Sequence, residues 1–190
     1  MHEKIIVLST KKELEIYMSP CRQEILRELR LAGEPVTPKF LADRLKISPS
    51  SIQFHLKKLE TLGIVSLHHT ELIRGITAKF YVPADVDISI GCHLDDFRHE
   101  REIVLENMVH NVFQGYCKAF YDCPKDAIED PFSNIPADIF TGIAFLTENE
   151  ITQLRKIIFD FLESHSQKRP DTYPWEYSLL AYKVKEDTNE

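Results

Sequence analysis

Three hydroxyl–proline pairs constrain this chain more than any other feature. Ser19-Pro20, Thr37-Pro38 and Ser48-Pro49 each join a capping side chain to the imino acid that suits a first helical position. Each pair is followed by apolar residues at helical spacing. Ile25, Leu26 and Leu29 follow the first, and Ala32-Gly33 ends that run. Phe40, Leu41 and Leu45 follow the second. Ile52, Leu56 and Leu59 follow the third, which closes at Gly63. The residues between the second and third runs, Lys46-Ile47-Ser48, leave room only for a tight turn. Two short helices joined this closely, the second opening on its own cap, are expected to form a helix-turn-helix.

After Gly63 the apolar period drops to two. Val65 and Leu67, then Ile76, Ala78, Phe80 and Val82, alternate with polar residues about Arg74-Gly75, which predicts a β-hairpin. A winged helix-turn-helix is therefore expected from Val36 to Pro83. Ahead of it, Lys11 to Met18 has helical spacing through Leu14, Tyr17 and Met18. MHEKIIVLST reads as a short strand or arm, with no cleavable leader pattern. Pro83-Ala84-Asp85 closes the unit. The expected domains are 1–85, the winged helix, and 86–190, a C-terminal region for dimerisation or effector binding.

In that second region an amphipathic pattern runs from Leu94 to Phe120, and Cys123-Pro124 stops it. Asp130 to Pro136 reads as loop. Ile139 to Leu146 predicts a strand. Thr147 with Glu150 forms a capping box before a helix whose Ile151, Leu154, Ile157, Ile158, Phe161 and Leu162 share a face. Arg169 to Thr172 predicts a turn, and Trp175 to Val184 a closing strand. The fold class expected is α+β, mainly α.

The net charge of −7 is unevenly placed. Residues 1–85 carry 13 Lys/Arg against 10 Asp/Glu; residues 86–190 carry 10 against 20. A slightly basic half joined to an acidic half suits a nucleic-acid-facing part and a separate acidic part. No apolar run approaches the ~20 residues of a membrane helix, so no membrane partner is expected. Cys21, Cys92, Cys117 and Cys123 form no CxxC pair, which fits a reduced, cytoplasmic protein with buried thiols.

On the third helix Ile52, Leu56 and Leu59 must face inward. Ser50, Ser51, Gln53, Phe54, Lys57 and Lys58 are left on or near the outside. Gln53 suits an adenine edge, Phe54 a thymine methyl, and the two serines a base or a phosphate. Lys57 and Lys58 suit phosphates, and Arg74 at the hairpin tip suits a minor groove or the backbone, with His68, His69 and Lys79 on its arms. Thr37 and Lys39 complete the expected contact set, at the start of the preceding helix. Double-stranded DNA is the partner these residue types fit.

Two runs carry a resemblance. Ser19-Pro20-Cys21-Arg22-Gln23-Glu24-Ile25-Leu26, and the run from Ser48 to Val65, SPSSIQFHLKKLETLGIV, resemble ArsR-type winged-helix repressors over about Lys11 to Pro83. The resemblance implies a homodimeric one-component transcription regulator on a palindromic operator, with half-sites about one helical turn apart. The region after Pro83 resembles the C-terminal part of such regulators less specifically. Metal sensing does not carry over. Val36-Thr37-Pro38 offers no thiol where the family's sensors hold one, and His99 and His110 lie too far apart to clamp one ion beside Asp95 and Asp96. Cys92-His93 near those acids is an alternative intersubunit metal site. No cofactor is expected, and no catalytic motif stands out. The alternatives are a winged-helix protein-interaction adaptor, or a sensor whose C-terminal half takes a small-molecule effector, with Phe113, Tyr116, Phe120 and Tyr121 as pocket, core or dimer seam.

Overall fold

A computed structural model describes residues 5–90, 98–122 and 137–184. Two compact units divide the chain, Met1–Glu102 with Phe145–Pro174, and Ile103–Ala144 with Trp175–Glu190.

The first unit carries the winged helix. Strand β1 is Ile5–Leu8, and the helices are α1 Lys11–Met18, α2 Pro20–Ala32, α3 Pro38–Leu45 and α4 Pro49–Thr61. Strands β2 Val65–Ile73 and β3 Ile76–Pro83 form the antiparallel hairpin, and β4 is Asp87–Ile90. The hydroxyl–proline pairs act as helix starts. The Thr37 and Ser48 oxygens accept the Phe40 and Ser51 N–H groups, each at 3.2 Å. Ser19 differs. Its hydroxyl makes no cap bond, because the residue also ends α1; its carbonyl accepts from Arg22 and Gln23 instead. Thr10 and Glu13 supply a reciprocal capping box at the start of α1 that the proline pattern does not reveal.

Apolar faces of all four helices meet in one core. Ile25, Leu41, Ile52, Leu56 and Leu59 are fully buried, with Leu14, Leu26 and Leu29 nearly so. Val36 bridges antiparallel to Tyr81, tying the α2–α3 connection to the hairpin as a third strand position. The hairpin turn has positive φ at both residues, Arg74 at 52° and Gly75 at 80°, as a two-residue type I′ connection requires. A bulge between Leu67 and His69 shifts the register, after which Thr70 faces Lys79 and Ile73 faces Ile76. Strand β4 follows the expected boundary at Pro83-Ala84-Asp85 and pairs in parallel with β1, Ile5 against Asp87 through Leu8 against Ile90.

Gly33 ends α2 in the left-handed region, at φ 64°. A Cβ there would sit 2.9 Å from the Lys168 Cβ. Gly33→Ala should therefore lose about 1–2 kcal/mol, from the backbone penalty plus displacement of Lys168. Urea unfolding would read that loss; an unchanged midpoint would refute it.

The fold is α+β and mainly helical, with an N-terminal helix-turn-helix and a small antiparallel wing. Helix α5, Arg98–Tyr121, follows the amphipathic pattern, and α6, Glu148–Ser164, opens on the Thr147–Glu150 capping box. The residues from Leu94 to Phe97 and from Cys123 to Pro136, and with them Cys92-His93, Asp95 and Asp96, lie outside the described residues. Two expected strands do not form. Residues 139–146 and 175–184 have no regular secondary structure and join no ladder among the described residues. Their composition favours strand, but a strand exists only beside a partner. The shared face of α6 is only partly covered among the described residues: Ile151, Ile158 and Leu162 are half-buried, and Leu154, Ile157 and Phe161 are exposed. Cys21 and Cys117 are half-buried rather than buried.

Candidate nucleic-acid interface

The interface is built on α4. Ile52, Leu56 and Leu59 fix its rotation by packing inward, completely removed from solvent. Helical geometry then dictates the opposite face. Ser50, Gln53, Phe54 and Lys57 are exposed there, and Ser51 and Lys58 flank them half-buried. Phe54 keeps 57% of its surface in solvent. The Lys58 ammonium lies over its ring, 5.7 Å from the centroid, and the His55 ring meets its edge at 5.4 Å. The Phe54 ring is thus held in the open between a cation and an imidazole rather than collapsed onto the core. At the N-terminus of α4 the Ser48 and Ser50 hydroxyls share a hydrogen bond at 3.0 Å.

The turn into α4 depends on Lys46, which takes the left-handed conformation at φ 58° and donates its N–H to the Ala42 carbonyl. Glycine or asparagine marks such a position more often, so the sequence does not advertise it. Behind α3, the buried Glu28 carboxylate takes the Arg44 guanidinium and lies 3.6 Å from that of Arg27. This ties α2 to α3 with a charge pair in addition to their apolar packing.

Arg22 is the residue that the sequence reading does not single out. Its guanidinium donates to the Ile16 and Glu15 carbonyls at the end of α1, and a third donor reaches His55 Nδ1 on α4 at 3.3 Å. Arginine has no acceptor, so Nδ1 must accept, and the ring proton belongs on Nε2. Burial, and then the Arg22 charge, hold the His55 pKa below the ordinary imidazole value. A depressed value means that the unfolded chain takes up the proton first as pH falls. His55 costs nothing above the free imidazole range, near pH 6.5, and subtracts stability progressively below it, until pH passes the folded-state value. His55→Gln should therefore flatten the loss of stability between about pH 6.5 and 5. Unfolding midpoints across that window would test it, and parallel profiles for both proteins would count against it.

The remaining expected residues fall into two groups. Arg74 sits exposed at the hairpin tip and Lys79 exposed on β3. Thr37 and Lys39 are engaged locally. The Thr37 oxygen caps α3, and the Lys39 ammonium is paired with Asp43 at 2.9 Å. His68 and His69 meet through their Nδ1 atoms at 2.8 Å, and His69 stacks on Phe80 at 4.4 Å. Among the described residues no group of three or more His, Cys, Asp or Glu side chains could hold a metal ion, and no helix is long and apolar enough to cross a membrane.

Residues 17–68 match the family model of a helix-turn-helix domain. The matched span begins inside α1 and runs through α4 into the hairpin, so it covers the geometry above. No curated protein matches the chain in sequence. Solved structures similar to it include the YusO protein from Bacillus subtilis, at 16% identity over 81% of both chains and a TM-score of 0.34. The transcriptional regulator Tm0710 from Thermotoga maritima is similar at 18% identity over 82% of this chain and 83% of its own, with a TM-score of 0.33. The adhesin competence repressor from Streptococcus pyogenes matches at 12% identity over 80% and 83%, also at 0.33. Likenesses this loose say nothing of what the chain does.

Proposed function

We propose that this protein is a sequence-specific transcription regulator that binds double-stranded DNA as a homodimer, through α4 in the major groove and the hairpin against the backbone. One observation carries the reading. The face of α4 opposite its buried leucines presents Ser50, Gln53 and Phe54, all suited to base edges, followed by Lys57 and Lys58, suited to phosphates. Arg74 supports it. An arginine in the left-handed region costs about 1 kcal/mol that glycine would avoid. Yet it occupies a turn where Asn-Gly is the cheaper pair. What that position gains is a guanidinium at the hairpin tip.

In this reading Gln53, Phe54, Ser50 and Ser51 read bases, while Lys57, Lys58, Arg74 and Lys79 neutralise phosphates. Thr37 and Lys39 contribute backbone contacts from α3, Lys39 only by exchanging Asp43 for a phosphate. The acidic C-terminal half dimerises, which sets two half-sites of a palindromic operator about one helical turn apart. Repression follows if that operator overlaps a promoter.

Selection of bound sequences from a random DNA pool at fixed salt is the direct test. A recovered palindrome supports the reading; recovery of no sequence above background overturns it and favours a protein-binding adaptor. Four neutralised phosphates per half-site also predict a fall of log affinity against log salt with a slope of about −3 to −4 per protomer. Arg74→Asn should relieve the turn, leaving stability equal or higher, while weakening binding to every sequence alike. Titrations of wild type and variant against specific and scrambled duplexes would check both.

A further inference from the structure

The described residues of the second compact unit bury very little apolar surface. Among its described residues, Val104 and Ala137 are the only buried apolar side chains. Large apolar side chains are exposed in all three of its described segments. Phe140 is 87% exposed and Ile143 83%; in the closing segment Trp175 is 64%, Leu180 75% and Tyr182 85% exposed. A unit of this composition cannot be held by burial of Val104 and Ala137. Soluble monomers rarely expose contiguous apolar patches beyond a few hundred Å².

We propose that a second copy of this chain covers these exposed side chains, and that Trp175–Val184 is the central contact, pairing as a strand beside its own copy. This deepens the homodimer in the reading above and rests on it. Three observations select this occupant. The first is area. Four of the exposed aromatics, Phe140, Trp175, Tyr177 and Tyr182, present on the order of 600 Å². With Ile143 and the closing-segment leucines added they reach the ~800 Å² per partner of a stable interface. The second is charge. Residues 86–190 are strongly acidic, but 139–146 carry no charged residue, and 175–184 carry one acid, Glu176, and one base, Lys183. Two of the segments that expose apolar side chains, 139–146 and 175–184, are thus ones a copy can approach without like-charge repulsion. The third is backbone. Trp175–Val184 is rich in strand-forming residues, yet joins no ladder among the described residues. Two copies related by a two-fold axis place one segment antiparallel to itself, giving both the partner that a strand requires.

Trp175 is the only tryptophan, so it reports on this contact directly. The full-length protein would be followed by sedimentation and by acrylamide quenching of Trp175 fluorescence, over a dilution series from about 50 µM to 50 nM. The expected result is a dimer whose Trp175 emission is blue-shifted and poorly quenched, turning red and several-fold more quenchable as the mass halves. Leu180→Glu should shift the dissociation midpoint upward at least tenfold while far-ultraviolet helicity is kept. A monomer at 50 µM overturns the proposal, as does a dimer whose Trp175 is as quenchable as free tryptophan. If Leu180→Glu fails to fold, the wild-type dilution series decides alone. The two readings fail separately. A shielded-Trp175 dimer that selects no DNA sequence sinks the regulator and leaves this interface standing. A monomer that selects a single half-site does the reverse.

Discussion

Leu56→Ala is expected to cost about 2–5 kcal/mol of unfolding free energy. The reason is the position of the side chain. Leu56 is fully buried on α4, beside Ile52 and Leu59, which are equally inaccessible. Truncation removes apolar contacts and leaves a cavity that three braced helices cannot readily fill. The helices enter that core from capped and proline-fixed starts, so the backbone has little freedom to collapse inward. The effect on recognition should exceed the effect on any single contact, because Leu56 fixes the rotation that presents Gln53 and Phe54. Lys57→Ala, one residue along but facing solvent, should change stability by less than about 0.5 kcal/mol. Guanidinium unfolding of both variants gives the comparison. Equal costs would mean that α4 is not seated as described.

The winged helix is legible in the sequence because its signals are local. A hydroxyl before proline, a glycine after the last apolar position, and a change of period from 3.6 to 2 each act within a few residues. They predict α1 to α4 and the hairpin closely. What they miss is non-local or unmarked. Strand β4 is four residues long, too short to stand out by period, and exists because β1 lies beside it across the whole winged helix. Arg22 and His55 are 33 residues apart, and their contact exists only where α1, α2 and α4 converge. Lys46 adopts a conformation that its side chain does not announce.

The two expected C-terminal strands are missed for a different reason. Ile139–Leu146 and Trp175–Val184 carry strand composition, and α6 carries an apolar face, but among the described residues neither segment joins a ladder and that face is only partly covered. Sequence pattern reports what a segment is suited to bury. It does not say whether the surface that covers it belongs to the same molecule. The site residues divide along the same line. Exposure of Ser50, Gln53, Phe54 and Lys57 follows from where the leucines must point. The local engagement of Thr37 and Lys39 depends on neighbours, Phe40 and Asp43, that helix spacing alone leaves undecided.

Gln53→Ala and Lys58→Ala are expected to weaken DNA binding in different ways, and the difference is the sharpest test of the proposed interface. Gln53 is exposed on the α4 face opposite the core, one turn in from the helix N-terminus, where a side chain of its length reaches a base edge. A bidentate contact to adenine discriminates by about 1–3 kcal/mol, so its loss should reduce affinity for the preferred site roughly 5- to 150-fold. Affinity for sites altered at that base should hardly move, and preference there should flatten. Lys58 is half-buried, its ammonium over Phe54, near the end of the helix where backbone rather than base edges comes within reach. Its removal should weaken all sequences by a similar factor and reduce the salt slope by about 1. Part of that loss would come through Phe54, whose ring loses the cation beside it. Lys58→Arg, which keeps both the phosphate charge and the ring contact, should recover most of the affinity lost in Lys58→Ala. Competition binding against single-base variants of the selected site, at two salt concentrations, reads all of these together. Uniform weakening by Gln53→Ala would remove it from base readout and leave α4 as a backbone-binding helix only.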